Sequence, residues 1–253
     1  MEERSLKKEI SLFMATMLVC GNMIGSGVFM LPSTLAQVSG PGATIIAWII
    51  TTIGSILIAI SFANLGTKYP STGGAYQYTK EAFGDFAGFL SAWLYWNGSW
   101  IGNAAIIVAI TSYASAVIPA LSNPMISIIF SSAILWIFTI VNILSVKIAG
   151  KLQSFVTVFK IGFFALFIIV AFLNFDNVNI LPLFPEGKGL STVPLAATST
   201  LWAFIGLESA TVAAGEIKNP EKNIRKSTIY GLIIASVIYL AISILLTQLL
   251  NHK

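Results

Sequence analysis

Gly21-Asn22-Met23-Ile24-Gly25-Ser26-Gly27-Val28-Phe29 is the stretch on which the fold turns. It sits inside an apolar run, residues 10 to 36, long enough to cross a bilayer, for which about 20 residues suffice. Gly25, Ser26 and Gly27 put the least helix-favouring residues near the middle of that run, where hydrocarbon offers backbone N–H and C=O groups no partner. A second run, residues 193 to 215, does the same with Gly206, Leu207 and Glu208. Two discontinuous helices in mid-membrane are the pattern by which a transporter holds a small polar substrate and its coupling ion.

Composition agrees with a membrane setting. Of the 253 residues, 56% are hydrophobic and 9% charged, with a mean hydropathy of +0.86, far from the quarter or so of charged residues in soluble domains. The net charge of +4 does not point to nucleic acid, because the basic residues lie in short loops rather than on one contiguous face. Cys20 is the single cysteine and can form no internal disulfide. His252 is expected in solvent beside the C-terminus. No cleavable signal peptide is expected, since the first apolar stretch runs on into the glycine-broken segment.

Seven apolar spans are predicted, near 10 to 36, 43 to 65, 86 to 117, 125 to 145, 153 to 174, 193 to 215 and 228 to 250. Read in order, one set of connections holds Arg4, Lys7, Lys8, Lys68, Lys80, Lys147, Lys151, Lys218, Lys222, Arg225 and Lys226, and the opposite set only Lys188 and Lys253. The excess of Lys and Arg on one side places the N-terminus in the cytoplasm and the C-terminus outside. The stretch from Asn174 to Thr192, with Pro182, Pro185, Gly187 and Gly189, is the longest external loop and the seam between two repeats: residues 1 to 174 with five spans, and residues 193 to 253 beginning a second. An odd number of crossings separates the first span from the sixth, so the second repeat runs in the opposite orientation.

Unwinding at Gly25-Ser26-Gly27 would leave amides that attract a carboxylate, and the half-helix after it aims the positive end of its dipole at the same point. Small residues also serve close helix packing, but that needs them one turn apart rather than consecutive. Glu208, deep in the sixth span, costs a few kcal/mol unless protonated, paired or hydrated, which suits gating or proton handling as well as a structural hydrogen bond to helix ends. Lys160, about a third of the way into the fifth span, either snorkels to the surface or points inward. Trp202 lies at mid-depth, where its face can cover a bound cation or simply pack. In the third span Tyr95, Asn97, Ser99, Trp100 and Asn103 form a polar and aromatic stripe, of which Asn103 is the substrate candidate.

The stretch quoted first, together with Leu201-Trp202-Ala203-Phe204-Ile205-Gly206-Leu207-Glu208-Ser209-Ala210, resembles the amino acid, polyamine and organocation transporter superfamily. Within it the likeness is to the basic amino acid and polyamine antiporter branch, typified by arginine/agmatine exchange. Pro70, Gly73, Gly74 and Tyr76, the run Trp100-Ile101-Gly102-Asn103 and the loop Lys218-Asn219-Pro220 fit as well, so the resemblance covers essentially the whole chain. It implies an all-helical, five-plus-five inverted-repeat fold with a substrate at the crossing of helices one and six. Carried over by position, Ser26 and Gly27 meet the substrate carboxylate, and carbonyls near Met23, Trp202 and Ile205 take its ammonium. Gly98, Ser99 and Asn103 meet the far end of its side chain. Trp202 and Tyr95 resemble gates, and Glu208 a carboxylate linking helices on the cytoplasmic side.

There are two departures. Members of the superfamily usually have about twelve spans, so this chain is expected to stop after the seventh, as a fragment, a split-gene product or one partner of a pair. Lys160 resembles the fifth-helix lysine of proton-linked members. The expectation is therefore a multi-pass transporter of the bacterial inner membrane, moving an amino acid or related amine by alternating access, the expected partners being the substrate, lipid, protons, and a missing half or a second copy. Exchange is favoured, with arginine, agmatine or another basic amino acid as substrate. A proton-coupled symporter using Lys160 and a non-transporting fragment are the alternatives. No metal-ligand cluster, activated nucleophile or phosphate loop is evident, so neither enzymatic chemistry nor a cofactor is expected.

Overall fold

The computed structural model describes residues 7–25, 27–174 and 181–250. Ser26 lies outside the described residues. The described elements are helical. The first apolar run folds as two helices, α1 (Leu12–Met23) and α2 (Gly27–Val38). Ser11 caps α1 by accepting from the Met14 amide at 3.3 Å, the usual service of a serine at a helix start. After it come α3 (Pro41–Lys68), α4 (Ala75–Phe83), α5 (Asp85–Ser115), α6 (Pro124–Leu144) and α7 (Val146–Leu173). The second interrupted run gives α8 (Val193–Trp202) and the short α9 (Ser209–Val212), and α10 (Pro220–Leu250) follows.

Four of these helices, α3, α6, α7 and α10, are continuous, long and apolar enough to cross a membrane. Helix α5 has 31 residues but carries Asn97, Ser99 and Asn103, which lower its hydropathy. The seven predicted spans all correspond to helical segments, and the predicted interruptions of the first and sixth are present as breaks. The protein is an all-helical, multi-pass membrane protein.

The chain forms two compact units, one of residues 1–74 with 153–253 and the other of residues 75–152. In the first, α3 packs against α10 and α8, and α1 against α10. The packing face of α3 is a stripe of small residues at every fourth position: Ala43, Ala47, Thr51, Ser55, Ala59 and Ala63, all buried. Small side chains let membrane helices approach closely, where dispersion rather than the hydrophobic effect holds them. Thr51 Oγ1 donates to Thr200 Oγ1 at 3.0 Å, pinning α3 to α8.

Both ends of this unit are fastened. At one, Ile10 and Ile217 form a parallel bridge, with the Ile10 amide donating to Glu216 O and the Lys218 amide to Ile10 O, each at 2.9 Å. On the other, residues 183–188 lie over the α2–α3 turn: the Gly42 amide donates to Leu183 O at 2.8 Å and Lys188 Nζ to Ala36 O at 2.5 Å. A side chain at Gly42 would fall 2.6 Å from the Phe184 ring. In the second unit Lys80 pairs with Asp85 at 3.1 Å, joining α4 to α5, and Thr111 and Ser131 share a 2.7 Å hydrogen bond between α5 and α6.

Candidate functional site

The site is built around the two breaks. Helix α1 ends at Met23, and the carbonyls it leaves without helical partners are claimed one by one. Lys160 Nζ, reaching in from α7, donates to Gly21 O at 3.1 Å and Ile24 O at 2.7 Å. Of the two orientations open to Lys160, the structure takes the inward one. An ammonium at the negative end of a half-helix is favourable for both its charge and its hydrogen bonds. Gly21 makes that approach of α7 possible, since a Cβ there would lie 2.2 Å from Thr157 Oγ1.

The Tyr239 hydroxyl, from α10, donates to Met23 O and lies 3.1 Å from Ala203 O. It therefore ties the end of α1 to the end of α8. Its ring is stacked on Trp48 at 5.2 Å, and Phe204 meets both rings edge-on at 5.9 Å. All three are buried. The composition of the sixth span directs attention to Trp202 and Glu208, but Tyr239 and Asn22 are not singled out. Both were open to the same test, a polar side chain at mid-depth of an apolar run.

After Trp202 the chain makes successive turns through Ala203 to Leu207. Gly206 has φ of 109° and would bring a Cβ to 3.0 Å from Asn22, so this position requires glycine for both its torsion and its closeness to α1. Glu208 turns back on its own loop and accepts from the Gly206 amide at 3.1 Å. It also borders a recess of about 190 Å³ shared with Ser55, Ile58, Phe62, Leu201, Phe204, Ile205 and Leu207. Asn22 Nδ2 donates to Ser209 Oγ at 2.8 Å, a further link between the broken helices.

Among the expected substrate contacts, Met23, Gly27, Trp202 and Ile205 come together here. A Cβ on Gly27 would have room, 3.9 Å from Trp202 Cδ1, so the indole stands beside the start of α2. Trp202 is 65% exposed and Ile205 58%. The Trp202 carbonyl accepts from the Ile205 amide at 3.2 Å. Tyr95, Gly98, Ser99 and Asn103 lie on α5 in the other unit, where Ser99 Oγ donates to Tyr95 O at 2.7 Å.

Comparison with known proteins decides the family. The sequence pattern of the amino acid permeases matches residues 10–253. The chain belongs to the amino acid permease family. Its relatives include the cadaverine/lysine antiporter of Escherichia coli (strain K12), 36% identical over 243 residues, covering 94% of this chain and 53% of the relative. The putative arginine/ornithine antiporter of Bacillus subtilis (strain 168) is 31% identical, over 97% of this chain and 58% of its own length. The arginine/ornithine antiporter of Latilactobacillus sakei is 32% identical, over 97% and 54%. The chain thus spans about half the length of the curated relatives it matches.

Proposed function

We propose that this permease chain serves secondary active transport of a basic amino acid or its amine product across the bacterial inner membrane, by exchange and alternating access. The observation that carries the reading is the meeting of two broken helices at their breaks, with Tyr239 between the carbonyls of Met23 and Ala203 and Trp202 beside Gly27. Helix ends brought together in this way suit a zwitterion: amides at the start of α2 for its carboxylate and carbonyls at the end of α8, each with a second lone pair, for its ammonium. Ser26 belongs to the carboxylate side, Trp202 to the cation, and Gly98, Ser99 and Asn103 to the far end of the side chain. Tyr95 and Glu208 serve as gates. Lys160 holds the end of α1 in the place a cation would otherwise take. The N-terminus lies in the cytoplasm.

Relatives named for lysine with cadaverine and arginine with ornithine favour exchange over proton symport. The test uses vesicles containing the chain, alone and co-expressed with the C-terminal half of the E. coli cadaverine/lysine antiporter. Labelled lysine or arginine should enter only when unlabelled amine or amino acid is inside. Uptake that ignores internal substrate and follows a proton gradient would establish symport instead. If no amino acid or amine enters in either preparation, the transport reading is wrong.

A further inference from the structure

Helix α10 carries a stripe that the proposed transport cycle does not use. Between 218 and 226 the sequence holds four basic residues, Lys218, Lys222, Arg225 and Lys226, against one acidic residue, Glu221. All five are exposed, and the one ion pair among the described residues, Lys80–Asp85, involves none of them. Lys222 and Lys226 are one turn apart on the same face, with Arg225 flanking them. Continuing up that face at intervals of three or four residues come Tyr230, Ile233 and Val237, exposed to 48%, 51% and 60%. The opposite face, with Ile224, Leu232, Ala235, Ile238 and Tyr239, is buried against the rest of the unit.

A charge bias that sets topology requires lysines near a helix end. It does not require them to head a continuous exposed stripe of cation, tyrosine and aliphatic side chains. At about 1.5 Å per residue the stripe from Lys226 to Val237 runs about 16 Å, close to the thickness of one leaflet of a ~30 Å hydrocarbon core. The order along it matches that of a phospholipid: phosphate, then glycerol and ester, then acyl chain. Tyrosine favours the middle level because one end of its ring is apolar and the other polar.

We propose that this face of α10 is a seat for one anionic phospholipid, with Lys222, Arg225 and Lys226 on the phosphate, Tyr230 at the glycerol level and Ile233 and Val237 along an acyl chain. Clustered Lys and Arg beside a membrane helix attract acidic headgroups, and the aliphatic residues add the lipid's own chain as a further contact. The proposal is independent of whether the chain transports anything.

The test is native mass spectrometry of the full chain in mild detergent, titrated with phosphatidylglycerol or phosphatidylcholine. One phosphatidylglycerol should remain bound at a concentration about tenfold below that needed for phosphatidylcholine. The triple variant Lys222→Gln, Arg225→Gln, Lys226→Gln should lose that preference while keeping the helical circular dichroism of the parent. Lys147→Gln with Lys151→Gln, which removes two basic residues elsewhere, should keep it. Equal binding of the two lipids overturns the proposal. So does a preference that survives the triple variant, or that is lost equally in the Lys147 and Lys151 variant, which would mean diffuse charge. Release of the lipid by millimolar inorganic phosphate, with phosphate bound in its place, would make this a free-anion site and also sink it.

Discussion

Tyr239 shows how a single atom holds a broken helix in place. Its hydroxyl donates to the Met23 carbonyl and lies 3.1 Å from that of Ala203, in surroundings where an unsatisfied polar group is costly. Tyr239→Phe should lower stability by about 1 to 3 kcal/mol, the penalty of a buried acceptor left unpaired, read as a lowered thermal midpoint in detergent. An unchanged midpoint would mean that water replaces the hydroxyl. Gly206→Ala should be worse tolerated, because its positive φ and its contact with Asn22 both forbid a side chain. Glu216, outside the spans, is a different case: partial burial raises its carboxyl above the ordinary value of 4.5. The folded state then holds that proton more tightly than the unfolded one, so stability is greatest below the unfolded pKa and falls as pH rises through the folded value. Glu216→Gln should flatten that decline, and a parallel pair of melting curves across pH 4 to 7, roughly the window around a carboxylate's pKa, would refute it. At this scale the sequence was partly legible. Glu208 and Lys160 stand out because charge in an apolar run is rare. Tyr239 does not stand out, because its role depends on which carbonyls another helix brings to it.

At the scale of elements, both interruptions could be read from the sequence, since the consecutive Gly25, Ser26 and Gly27, and Gly206 beside the charge of Glu208, weaken a helix in the middle of an apolar run. The helix ends were less legible. Helices α7 and α10 begin at Val146 and Pro220, several residues before the apolar spans predicted at 153 and 228, because Lys147, Lys151, Lys222 and Arg225 stop the hydropathy but not the helix. Helix α4 falls in a loop by the sequence pattern, being short and polar. Packing between helices is testable with paired glycines. Gly21→Ala should displace α7 from α1, because the new methyl would collide with Thr157 and Gln153, whereas Gly54→Ala meets nothing within 4 Å. The first should cost stability and the second leave it unchanged or raise it slightly, as glycine is a poor helix former. Equal midpoints for the two variants would argue against the close crossing at Gly21.

For the whole molecule, the predicted orientation rests on the distribution of Lys and Arg and can be checked directly. With the buried Cys20 replaced by serine, a cysteine at Lys188 should react with an impermeant maleimide in intact cells, and one at Lys222 only after the membrane is opened. The reverse pattern would invert the topology. Membrane class was visible in composition and the helical architecture in the length of the apolar runs, because a run of about 20 apolar residues satisfies its own backbone in lipid as a helix. What composition could not show is how the ends of the first and sixth segments are joined. Ile10 stands just ahead of α1 and Ile217 just beyond α9, and their two backbone hydrogen bonds close a ring through more than two hundred residues of chain. A rivet at that point makes α1 and α9 behave as scissor blades: neither can tilt at that edge without carrying the other.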